Sequence, residues 1–114
     1  MSESIRPIID AYDAAAPLKS AATIPSAWYT DPRIETLERR AVFGATWQMA
    51  ARLDQLAQPG QFVTTCIGGE PIVVVRGEDG ALRAFYNVCR HHAAEVMMEP
   101  AGRCTVMRCP YHAW

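Results

Sequence analysis

Asn87-Val88-Cys89-Arg90-His91 and Cys109-Pro110-Tyr111-His112-Ala113-Trp114 decide how this sequence is read. They carry two ligand pairs, Cys89-x-His91 and Cys109-x-x-His112, with seventeen residues (92–108) between them. Side chains one or two residues apart turn toward a common point from one tight loop. Two such loops offer two thiolates and two imidazoles. That donor set suits a tetrahedral Zn²⁺, or a [2Fe–2S] cluster in which two histidines replace two cysteines on one iron. Structural zinc sites usually pair like with like. Here each loop mixes one Cys with one His, as mixed ligation of two irons requires: one Cys from each loop to the first iron, one His from each to the second.

These residues resemble the Rieske signature of non-haem iron oxygenase α-subunits. The likeness continues upstream through Ser26-Ala27-Trp28-Tyr29-Thr30-Asp31-Pro32, Trp47-Gln48, Gln61-Phe62 and Tyr86-Asn87-Val88-Cys89. It is most similar to choline monooxygenase and its quaternary-ammonium relatives, over roughly residues 24–114. Two positions depart from the family pattern: His92 stands where Arg usually follows the first His ligand, and Ala113 where Gly usually follows the second. The resemblance implies a mainly β fold, the Rieske [2Fe–2S] antiparallel β-sandwich, preceded by an N-terminal helical segment. It implies a tail and helix over residues 1–45 and a Rieske domain over 46–114. Further strands follow the second ligand loop in the family, so the chain is expected to be a fragment or short form with unpaired strand edges.

Composition narrows the classes. The chain has 114 residues, half of them apolar, and a net charge of −1. That allows one small domain with a modest core and gives no basic surface for nucleic acid. No apolar run approaches a membrane span. Residues 1–16 carry Glu3, Asp10 and Asp13 and lack the apolar stretch of a secretory signal, so a cytoplasmic protein is expected. In that setting the four cysteines point to metal binding more than to disulfides. Cys66, in an apolar run, is expected to be a buried thiol; Cys104 is left over. Respiratory-type Rieske proteins carry an additional Cys in each ligand loop, and these loops carry none.

Periodicity places the elements. Ile5, Ile8, Ile9 and Tyr12 space a short helix over residues 4–16, and Ala-rich residues 14–22 read as a linker. Asp31 is a good N-cap, Pro32 suits the first helical position, and Gly44 is a natural stop. Beyond Trp47 the period shortens, and strands are expected over 47–53, 61–67, 71–76, 82–88 and 104–108. Gln58-Pro59-Gly60, Gly68-Gly69 and Glu78-Asp79-Gly80 separate them. Ile72-Val73-Val74-Val75 reads as a strand covered on both faces.

Counting limits the chemistry. An oxygenase also needs a mononuclear iron, commonly held by two histidines and a carboxylate. The chain has three histidines; with His91 and His112 assigned to the cluster, only His92 remains. No catalytic residue is therefore assigned. Electron transfer is expected of these residues, and hydroxylation is not expected of this chain alone. By resemblance the whole enzyme takes electrons from a ferredoxin or flavin reductase, acts on choline or a related quaternary ammonium with O₂, and forms a homo-oligomer. Two alternatives stay open: a stand-alone Rieske ferredoxin, and a structural zinc domain. Trp114 is read as a cover for the ligand loop or as an apolar chain end. Arg90 is read as a solvated charge or a donor contact, and His92 as a loop histidine or a polar neighbour of the cluster.

Overall fold

Asp31-Pro32 sets the clearest local structure. In the computed structural model, which describes residues 4–114, Asp31 accepts from the Arg33 backbone N–H at 2.9 Å. A helix, α3, follows over Pro32–Glu38. It continues as one wide π-turn over Arg39–Phe43 and stops at Gly44. Before it come α1, Arg6–Asp10, and α2, Ala27–Thr30. The Trp28 indole N–H donates to the Ile8 carbonyl at 2.9 Å, and its ring meets Tyr12 edge-on. The expected first helix is thus shorter than its spacing suggests; residues 1–3 lie outside the described residues. These helices belong to one compact unit that runs through Thr46; a second runs from Trp47 to Trp114.

The second unit is an antiparallel sheet. Strands β1 (Gln61–Ile67), β2 (Glu70–Arg76), β3 (Leu82–Tyr86) and β4 (Ala101–Arg103) lie in the order β3-β2-β1-β4. β1 and β2 join through Gly68-Gly69, with Phe62 opposite Val75 and Cys66 opposite Pro71. β2 and β3 join through the Asp79-Gly80 turn, which Asp79 supports by accepting from Ala81 N–H and the Arg83 guanidinium. Val73 and Val74 point to opposite faces and are both buried, so the apolar run is covered on both sides. Each such side chain contributes about 1.5–3 kcal/mol. Leu56, from a 3₁₀ turn over Leu53–Leu56, packs with Val63 and Val74 against Ala50, Ala51 and Ile72.

Three expectations are corrected. Residues 47–53 form no strand: Ala50 and Ala51 lie on the Leu56 cluster, so the segment covers a sheet face instead of joining an edge. Residues 104–108 form no strand either. The edge of β1 is taken by β4, where Gly102 stands opposite Phe62 and a Cβ there would come within 3.1 Å of the Phe62 ring. Arg103 is already paired with the first residue of β1, so the following residues have no edge left. Cys66 is exposed: β4 covers β1 only from Gln61 to Val63, and Cys66 lies beyond it.

Candidate metal centre

Both ligand loops close in the same way. In the first, Cys89 N–H donates to Ala94 O at 2.7 Å and Ala93 N–H to Cys89 O at 2.9 Å. In the second, Cys109 N–H donates to Trp114 O at 2.6 Å and Ala113 N–H to Cys109 O at 2.9 Å. Aligned Cys to Cys, each six-residue loop has its fifth residue in the left-handed region: Ala93 at φ 57°, Ala113 at φ 60°. The matched fourth residues are His92 and His112. This equivalence was missed in the sequence, although the signal was there: Cys, then His-Ala at positions four and five, occurs in both loops.

The first loop is anchored by Asn87. Its side chain is 1% exposed. Its Nδ2 donates to Glu95 Oε1 and Met97 O at 3.0 and 2.7 Å, and its Oδ1 accepts from Met97 N–H at 2.8 Å. Its own N–H donates to Pro71 O, tying the loop to β2. Asn87 thus fixes both ends of the Cys89 loop to the sheet. Among the described residues no buried side-chain N or O lacks a hydrogen-bond partner.

The structure brings all four expected ligands together in two pairs. Cys89 and Cys109 are buried, at 8% and 2% exposure. The His91 backbone N–H, aimed at the Cys89 sulfur, pulls that thiol below its ordinary pKa; the Cys109 thiol and the His92 N–H act the same way, against desolvation. A lowered pKa favours the thiolate, which is the metal-binding form. His91 and His112 are exposed, with Nδ1 atoms 3.2 Å apart. Two imidazoles each about 2.0–2.1 Å from one ion at a tetrahedral angle stand about 3.3 Å apart. The residues therefore fit a group that takes two thiolates on its inner side and two imidazoles toward solvent. Trp114 stacks on His91, ring centroids 4.8 Å apart and planes 10° from parallel. Arg90 is exposed on the loop surface. Cys104 is half-buried, and burial pushes its thiol pKa up. All four cysteines are free thiols.

Residues 46–114 match the family described as the Rieske [2Fe-2S] domain. The chain is 42% identical over 92 residues to the carnitine monooxygenase oxygenase subunit of Acinetobacter baumannii, covering 81% of this chain and 25% of that protein. It is 38% identical over 110 residues to the chloroplastic choline monooxygenase of Arabidopsis thaliana, covering 96% and 26%. A quaternary ammonium Rieske monooxygenase, whose structure is described in terms of carnitine oxidation by gut microbiota and inter-subunit electron transfer, superposes with a TM-score of 0.77 at 42% identity, over 82% of this chain and 26% of that one. The chain spans about a quarter of the length of the curated relatives it matches. No helix among the described residues is long and apolar enough to cross a membrane.

Proposed function

Because the chain belongs to the Rieske [2Fe-2S] domain family, we propose that residues 46–114 are the electron-transfer domain of an oxygenase acting on choline or a related quaternary ammonium, and that residues 1–45 are its N-terminal tail and helix. Cys89 and Cys109 hold one iron of the cluster; His91 and His112 hold the other. When bound, the cluster supplies one-electron transfer at a potential above that of an all-cysteine cluster. The carrying observation is the pair of matched loops that sets two thiols inward and two Nδ1 atoms 3.2 Å apart.

The chain's own residues do the rest. Buried Cys89 and Cys109 keep water from the sulfur side. His91 and His112 face solvent, where a redox partner has access, and Trp114 fixes the plane of the His91 ring. A ferredoxin or flavin reductase is the proposed donor, and a homo-oligomer the proposed assembly. The four free cysteines, with Cys66 exposed, suit a reducing compartment such as the cytoplasm.

The oxygen-activating iron must come from residues other than these, since one remaining histidine does not make a two-histidine site. The test is O₂ uptake coupled to hydroxylated product with choline, carnitine and glycine betaine. It is run with the cluster-loaded chain alone and with the chain joined to an iron-binding oxygenase domain. The chain alone should accept electrons and form no product; the joined form should turn over. Stoichiometric product from the chain alone contradicts the reading.

A further inference from the structure

We propose that His91, His92 and His112 form a three-imidazole site for one divalent transition-metal ion in the chain that has not received its cluster. The three side chains offer ligand nitrogens that all lie within 4.8 Å of one another, and all three are exposed. His91 and His112 already hold their Nδ1 atoms at 3.2 Å, close to the spacing of two ligands on one ion. The His92 ring lies 3.9 Å from His91 and 5.4 Å from His112, centroid to centroid. Its ligand nitrogen lies within 4.8 Å of the other two, so the exposed His92 ring must close in as the ion binds.

The backbone explains why His92 is there. It holds the fourth position of its loop, as His112 does in the other, and both loops close through the same two hydrogen bonds. The first loop therefore presents two histidines, at its third and fourth positions, where the second presents one. Neutral imidazoles suit Zn²⁺, Co²⁺, Ni²⁺ and Cu²⁺, and three of them leave a coordination position for water. The thiols of Cys89 and Cys109 are outside this grouping. The site differs from a two-cysteine, two-histidine zinc centre, in which His92 has no part. It stands whether or not the chain takes a cluster; where it does, ion and cluster compete for His91 and His112.

The probe is Co²⁺, titrated anaerobically into the cluster-free 114-residue chain and followed by visible absorption. One equivalent should bind with nitrogen-type d–d bands. His92→Ala should weaken binding by about tenfold or more, and His92→Asp, which restores a ligand, should recover most of it. Because the ring is exposed, neither substitution disturbs the core. Equal affinity in His92→Ala overturns the proposal. So does a thiolate-to-cobalt charge-transfer band in the parent chain, or an absence of binding to it.

Discussion

Ala93 and Ala113 occupy the same position in the two ligand loops, and both adopt a left-handed backbone, at φ 57° and 60°. For a residue with a Cβ this conformation costs roughly 1–2 kcal/mol. In each loop this residue donates to the carbonyl of the loop's cysteine, and the residue after it accepts from the cysteine N–H, so both closing hydrogen bonds depend on the turn made there. Glycine relieves the cost but loses about 0.4–1 kcal/mol through the freer unfolded chain. Ala113→Gly is expected to raise stability by about 0.5 kcal/mol, and Ala113→Val to lower it, as read from urea midpoints. A lower midpoint for Ala113→Gly contradicts this account of the loop.

Gly60 is a second position of close approach. It has φ +81°, and a Cβ there would stand 2.5 Å from the Cys104 carbonyl oxygen. Its N–H donates to Arg76 O and its carbonyl accepts from Cys104 N–H. Gly60→Ala forces these apart and is expected to cost about 2 kcal/mol or more. Thermal unfolding checks it; an unchanged Tm shows that the segment yields without strain.

Asn87 links packing to the metal centre. Asn87→Ala leaves the Met97 N–H and carbonyl without their buried partner, at a cost of about 1–3 kcal/mol. Cys89 lies two residues on, so the variant should also lose its iron to a chelator faster than the parent chain. Equal iron loss would separate the bracket from the ligand loop.

Acid should act on the helical unit through Asp31. The Arg33 side chain, with its backbone N–H, holds this carboxyl below its usual 3.8, at about 2. A folded-state pKa below the unfolded one gives stabilisation that is complete above the ordinary carboxylate value and is lost as pH falls toward the folded value. The unit should therefore weaken between pH 3.8 and about 2, followed by Trp28 fluorescence with Trp47 and Trp114 replaced by Phe. In Asp31→Asn that part of the acid transition should flatten. Superimposable acid profiles for the two chains would contradict the assignment.

Much of the fold was legible where local chemistry and tertiary pairing agree. Asp31-Pro32 caps α3, and β1 runs as its apolar pattern indicates because Val63 meets Val74 across the ladder. The misreadings arose where pairing was decided at a distance. Cys104-Thr105-Val106-Met107 has strand-like residues, yet β4 forms at Ala101-Gly102-Arg103, where Gly102 stands opposite Phe62 and a Cβ would crowd its ring at 3.1 Å. Cys66 looked internal from its neighbours, but how far β4 reaches along β1 is not written near Cys66. At the metal centre the spacing singled out Cys89, His91, Cys109 and His112 as candidates, and the folded loops set Cys89 beside Cys109 and His91 beside His112. The part of Asn87 was not, since its partners Glu95 and Met97 lie eight and ten residues away.

The central claim is that His91 and His112 share one iron while Cys89 and Cys109 share the other. Pulsed EPR of the reduced, reconstituted chain tests it most directly, because nitrogen nuclei bound to the iron leave resolved couplings. Two bound iron and two sulfide per chain, with couplings from two histidine nitrogens that lose one in His112→Ala or disappear with the cluster, and that persist in His92→Ala, are the expected result. A reduced chain without nitrogen coupling, or one whose only tightly bound metal is zinc, would contradict it.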